Sequence, residues 1–417
     1  MKSRKNKFAP TLSLVLAFAA INLSLATEAR AQALTNIVGA PGYTVAGLIL
    51  DSAGNLYGTS VYGGYGINCT GGCGTVFEVS PPASPGGSWT ETVLFSFTKG
   101  ADGAFPAAGL VFDSKGNLYG TTPEGGAGKG GTVFKLSRGT DGIWKKTVLH
   151  NFYGGTGGGG PQLSSLIFDA NGNLYGTAMW NNSTNCTPRV VTCGLVFKLS
   201  PTSAGGWKET VLHYFSGGTE GAWPDASLTF DTAGNLYGVS SRGGKYAGGV
   251  VFKLSPTVSG TWQETVLHAF TGKADGGSPM GPVIFDSAGN LYGAAQGGST
   301  GSVVFKLSPS GHGWKESVLY IFNSNGPNGY PSAGVIFDAA GNLWGTTTYY
   351  NSNACWLDGC GQVFQLTPSS SGWTLGAVYS AGRPSYGGLI RDPAGNIYGT
   401  DTDARYTAYG SVFEVTK

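Results

Sequence analysis

Charged residues make up 12% of this 417-residue chain, against a usual share of about 25%. So few cations cannot track a phosphate backbone, and nothing points to a nucleic-acid partner. Histidine occurs four times. No two copies are placed as a metal pair or beside a nucleophilic serine, so no metal, cofactor or catalytic residue is expected. Long apolar runs are almost absent too. The single one, residues 12–25, is shorter than the roughly 20 residues of a spanning helix. No segment keeps a helical period. The hydrophobic fraction, 41%, is ordinary and excludes disorder.

The one apolar run reads as an export signal. Lys2, Arg4, Lys5 and Lys7 precede it, and Ala29-Arg30-Ala31 fits a small-x-small cleavage site. Residues 1–31 are therefore expected to be removed, leaving residues 32–417 as one domain, secreted or periplasmic, monomeric and without a membrane span. The leader carries five cations and one anion, so the mature chain holds 20 basic and 22 acidic residues. Its net charge is then −2 rather than the +2 of the whole chain.

What is abundant is glycine, with 72 copies, more than twice its usual share of about 7%. Much of it belongs to a repeat. Asp-x-x-Gly-Asn-Leu-Tyr-Gly or a close variant begins at Asp51, Asp113, Asp169, Asp231, Asp286, Asp338 and Asp392. Each copy holds four apolar segments of strand length; in the second these are residues 109–112, 117–121, 132–136 and 146–152. The Asp starts a type I turn and the Gly takes its left-handed position. Asp392-Pro393-Ala394-Gly395 puts proline where such a turn favours it. Seven aligned aspartates also raise calcium binding, but capping the turn explains them more simply.

A four-stranded sheet cannot bury both faces, so the repeats must pack on one another. The first strand of a unit opens with small residues, as in Ala46-Gly47, Ala108-Gly109 and Gly387-Gly388. A Trp precedes the fourth strand at 89, 144, 207, 262, 314 and 373. Small inside and bulky outside describes a wedge, and seven wedges make an all-β, seven-bladed propeller of four-stranded antiparallel blades. The seventh unit stops at Val415 without a fourth strand, and residues 33–38 form an orphan strand at the other end. Pairing the two closes the ring and removes an open edge. An open solenoid would need caps, which are not evident.

The string Gly131-Thr132-Val133-Phe134-Lys135-Leu136, after Gly-Asn-Leu-Tyr-Gly-Thr, resembles the GloVer (choice-of-anchor) tandem repeat of bacterial secreted and surface proteins. The likeness covers nearly the whole mature chain. It implies export and repetition, and no defined activity. The strand order resembles NHL-type propeller repeats, which implies that the Gly-Leu-Ile-Phe strand is innermost.

Function is sought where the copies differ. All six cysteines fall in connections between second and third strands, as Cys69/Cys73, Cys186/Cys193 and Cys355/Cys360, and these three connections are the longest. In an exported chain they read as local disulfides. A metal site is the alternative, and no histidine lies near. Trp180 and Trp356 have no place in the repeat and sit in or beside these loops with Asn181, Asn182, Tyr349, Tyr350 and Asp358. Tyr62 and Tyr65 lie in the first long loop. Aromatic faces beside amides and carboxylates suit sugars; the plainer reading is rings folded over the blade tops. In the seventh unit Arg391 takes a slot held elsewhere by Leu50 or Phe, and Asp401, Asp403 and Arg405 replace a glycine-rich loop. A buried arginine needs a partner, so an ion pair at the closure seam is expected, with a charged pocket as the alternative.

Two motif matches fail on context. Gly297-Gly298-Ser299-Thr300-Gly301 lies in a hairpin, and no helix follows Gly126-Ala127-Gly128-Lys129-Gly130-Gly131. His150, His213 and His268 share one position with Phe95 and Tyr320, an aromatic slot on the fourth strand. The expectation is a binding module recognising an extracellular glycan. The alternatives are a polysaccharide lyase or glycosidase using acids such as Asp358, Asp401 and Asp403, and a cell-surface interaction scaffold.

Overall fold

The computed structural model describes residues 34–44, 46–153, 159–161, 164–180, 186, 192–311, 313–323, 329–350, 360–381, 383–384, 387–402 and 410–416, with backbone alone at 349–350, 360, 377, 380–381 and 383–384. Residues 1–31, Asn181, Asn182, Cys355, Trp356, Asp358, Asp403 and Arg405 lie outside the described residues, as do the side chains of Tyr349, Tyr350 and Cys360. Among the described residues every regular element is a strand. They form seven antiparallel sheets in meander order, the blades of a propeller. Blade 2 runs Val111–Phe112, Leu118–Thr122, Thr132–Arg138 and Trp144–Asn151. Blades 6 and 7 add short strands, Tyr330–Pro331 and Arg383–Pro384, before their first.

The ring closes as the unpaired ends require. Leu34–Gly39 is the outermost strand of blade 7, with Leu34 opposite Val415 and Gly39 opposite Ser411. A buried cluster then joins Tyr398 and Val412 of blade 7 to Leu48, Leu56, Phe77 and Val79 of blade 1. Thr400 Oγ1 donates to the Ala46 carbonyl at 2.9 Å across that seam. Thr59 Oγ1 makes the matching bond to the Ala108 carbonyl, from blade 1 to blade 2.

The turn aspartates are structural. Asp113 Oδ1 accepts from the Lys115 and Asn117 amides, and Oδ2 from Asn117 Nδ2 and Tyr119 Oη. Gly116 takes φ of 76°, the left-handed value this turn needs. In blade 6 Trp344 replaces the tyrosine and donates its Nε1–H to Asp338. Burial alone would raise these carboxyls, but the hydrogen bonds outweigh it and hold Asp51, Asp113, Asp169, Asp231, Asp286 and Asp338 below 3.8.

Blades adhere through an aromatic ladder. Tyr119 packs edge-on against Phe168 (5.0 Å) and Trp207 (6.5 Å) of blade 3, and Phe152 against Phe197 (5.3 Å). Such pairs add about 0.5–1.5 kcal/mol each beyond area burial. The tryptophans thus clamp the preceding blade from the outside. At the axis the small residues are obligatory: a Cβ on Gly281 would lie 1.9 Å from the Gly334 amide nitrogen, and one on Gly387 would lie 2.1 Å from the Ala46 carbonyl carbon.

Candidate functional site

One end of the ring gathers most of what varies between blades. The segment entering each blade crosses that end and pairs with the connection leaving the same blade's second strand. Ala104 bridges Glu124, Gly159 bridges Trp180, and Ala222 bridges Arg242. Glu124, Trp180 and Arg242 therefore occupy one slot, which corrects the expectation that Trp180 has no repeat position. By sequence Tyr62 fills the slot in blade 1. The scaffold presents a tyrosine, a glutamate, a tryptophan and an arginine around one face.

The entering segments are fixed by a repeated device. A left-handed residue precedes a proline: Phe105 (φ 59°), Gly160 (60°), Trp223 (58°) and Ser278 (48°). Its amide donates to the residue before the third strand's leading glycine, the Cys73, Gly130, Cys193 or Gly248 carbonyl. The second cysteine of a pair thus anchors the next blade's entry. Cys69 is bonded to Cys73 and Cys186 to Cys193, as expected. Trp223 lies where Phe105 lies and adds a 2.8 Å bond from Nε1 to the Thr192 carbonyl.

Trp180 is 42% exposed. A Cβ on Gly160 would lie 2.8 Å from Trp180 Cε3 and 3.1 Å from both flanking ring atoms, Cδ2 and Cζ3. Equal flanking distances, barely longer than the central one, put the glycine over the ring's face and not at its edge. One face of the indole rests on backbone. Tyr62 is exposed to the same 42%, and its ring lies between Tyr43 (6.1 Å) and Phe105 (5.7 Å). Tyr65 is 89% exposed.

The channel inside this ring, about 180 Å³, is lined by Gly47, Gly109, Ala226, Gly281 and Gly388 among others. Among its described lining residues one is charged, Asp225, which sequence reading passed over. Its Oδ2 accepts from Ser241 Oγ at 2.9 Å, while Oδ1 is buried without a partner. Burial pushes this carboxyl up to about 6 against the opposing Ser241 bond and Arg242 charge. The available signal was its departure from Ala107, Met280 and Ser332 at the matching position.

The seventh blade departs from expectation. Arg391 is exposed, not buried, although Phe112 and Phe168 at the same strand position are half-buried. Arg391 pairs with Ile397 and Asp401 lies four residues along the same strand, about 13 Å away at a strand's rise. The two do not form one charged seam. Asp401 is buried at 5% exposure.

His150, His213 and His268 do fill an aromatic slot, edge-on to Phe152, Phe215 and Phe270 at 4.6–4.7 Å. Missed were the carboxylates beside them. His150 Nε2 lies 3.5 Å from Glu209, His213 Nε2 lies 3.8 Å from both Glu220 and Glu264, and His268 Nε2 lies 3.4 Å from Asp275. Burial lowers the three histidines and raises Glu209 to about 7 and Glu264 to about 8, the latter helped by Glu220. Glu209 and Glu264 come from the next blade, which spacing within a unit hides, whereas Glu220 and Asp275 each follow their histidine by seven residues.

Compared with known proteins, the chain matches the family model described as the Gloeobacter/Verrucomicrobia repeat over residues 22–187, 145–355 and 257–417. No curated protein matches it. Among solved structures it is similar to a gluconolactonase from Xanthomonas campestris, with 15% identity, 92% of this chain and 89% of that one covered, and a TM-score of 0.42. A Thermus thermophilus protein described as a putative oxidoreductase of glucose dehydrogenase type shows 15% identity, 74% and 95% coverage and a TM-score of 0.43. Likeness of this degree does not extend to activity.

Proposed function

This chain belongs to the Gloeobacter/Verrucomicrobia repeat family, and on that footing we propose that it is an exported propeller whose entry-loop face binds an extracellular glycan. Two local disulfides and membership of a bacterial repeat family fit an extracellular location. Removal of residues 1–31 as a leader is part of the proposal.

The observation that carries the reading is Trp180. Its indole is held on one side by Gly160 and stays 42% exposed. A preorganised aromatic face loses little entropy when a pyranose stacks on it. Trp356 and Tyr349 are assigned to the same face from sequence. Asp225 lines the channel, and its Oδ1 is buried without a partner. The glycosidase reading is weaker, since hydrolysis uses two carboxyl groups flanking the bond and the described channel lining supplies Asp225 alone.

The test is retention on a panel of insoluble and immobilised polysaccharides, with Trp180→Ala/Trp356→Ala alongside and soluble products assayed in the same tubes. Retention lost in the folded variant supports the reading. Product release moves the assignment to an enzyme, and no retention on any polymer refutes the glycan.

A further inference from the structure

Each seam between blades repeats three positions near the rim. One, on the fourth strand, lies opposite the valine that precedes the buried phenylalanine of the third strand: Phe95, His150, His213, His268 and Tyr320. The next blade supplies a residue opposite a buried leucine: Lys146, Glu209, Glu264, Glu316 and Leu375. The third is in the entry loop, before a tight-turn glycine, where Asp102, Glu220 and Asp275 stand.

These positions change together around the ring. Between blades 1 and 2 the next-blade residue is Lys146, whose ammonium lies 5.7 Å from the Phe95 and Phe97 ring centroids and feels the Asp102 charge. That seam carries its own cation. Between blades 5 and 6 the set is Tyr320 and Leu375, and no charge is present at either. Between blades 3 and 4 it is His213, Glu220 and Glu264. Their donor atoms all lie within 4.8 Å of one another. Neither His213 Nε2 nor Glu264 Oε1 has a hydrogen-bond partner, and both are buried. The Glu264 side chain is only 9% exposed. Among the described residues no lysine or arginine pairs with either glutamate.

We propose that this seam binds a divalent transition-metal ion through His213 Nε2, Glu220 and Glu264, at the place where the first seam puts the Lys146 ammonium. One imidazole and two carboxylates suit zinc-like ions, and the two carboxylates balance its charge. Tetrahedral donors at bonds of about 2.1 Å lie about 3.4 Å apart, so the 3.8 Å separations close with a shift of a few tenths of an ångström. The ion joins the fourth strand of blade 3, its exit loop and the fourth strand of blade 4, and acts as a clamp. The site is independent of the glycan reading.

The test is equilibrium dialysis of the purified chain, carrying no affinity tag, against zinc. His213→Phe/Glu264→Lys rebuilds the set the protein itself uses between blades 1 and 2, so it is expected to fold. Wild type should take up one equivalent that this variant lacks, show cobalt d–d absorption that the variant loses, and melt higher with zinc where the variant does not. Near-UV circular dichroism checks the fold, and Glu264→Gln, expected to weaken zinc by about tenfold or more, serves if the double variant fails to fold. Wild type without zinc uptake, or a folded variant with unchanged stoichiometry, overturns the proposal.

Discussion

Alanine at Gly120 should destabilise the ring even though alanine suits extended backbone better than glycine. A Cβ there would lie 2.7 Å from Phe134 Cζ, 2.9 Å from Leu110 Cδ2 and 3.1 Å from Phe134 Cε1, where ordinary contact begins at 3.4 Å. Phe134 is fully buried and Leu110 is 3% exposed, so neither has room to withdraw. Overpacking of this kind costs about 1–3 kcal/mol. For a domain of this size, with unfolding entropy scaling per residue, that lowers the melting temperature by about 1–4 °C. Differential scanning calorimetry measures it. Phe134→Leu empties the space Cζ fills, so Gly120→Ala should cost less on that background, with a coupling of about 1 kcal/mol or more. The same geometry recurs at Gly176 against Phe197 and Leu166, which supplies a replicate. A neutral or stabilising Gly120→Ala, or strict additivity with Phe134→Leu, would refute the claim that this glycine exists to admit the phenyl ring.

Other consequences are as direct. Asp113→Ala strips four hydrogen bonds from the blade 2 turn and should cost about 1–3 kcal/mol at pH 7 by denaturant titration. Because the folded carboxyl is held below 3.8, the ionised group's contribution is present above that value and lost as pH falls through the folded one; the deficit should shrink in acid. Glu209 behaves oppositely: raised from 4.5 to about 7 by burial, beside His150, which burial lowers, it makes wild type lose stability as pH rises between those values. Glu209→Gln should therefore be more stable than wild type by about 1–3 kcal/mol at pH 8 and by little at pH 4.5; equal gains at both would contradict it. Gly160→Ala places a methyl group against Trp180 and should shift the indole fluorescence maximum and weaken any ligand held there.

The scaffold was legible because its signals are local and repeated. Asp, Gly and Tyr of the turn sit within seven residues of one another, and proline at 393 tested the turn type. The orphan strand at one end and the missing strand at the other fixed the closure by simple counting. Functional surroundings were harder to read because they join different units. One of the two carboxylates facing His213, Glu264, comes from blade 4, about fifty residues downstream, and Asp225 matters only once seven first strands converge on an axis. Arg391 was assigned to the core by alignment with Phe112 and Phe168, which end matching two-residue strands half-buried, but the arginine at that position is exposed. Trp180 was noticed by its residue type, while its slot emerged only from the pairing of Gly159 across the blade.

The most direct measurement of the central claim is a binding isotherm on the polysaccharide that retains the protein, comparing wild type with Trp180→Ala and with Asp225→Asn. The account predicts at least about a tenfold loss for Trp180→Ala, about 1.4 kcal/mol, with near-UV circular dichroism unchanged, and a smaller loss for Asp225→Asn. Equal affinity of wild type and a folded Trp180→Ala would contradict it.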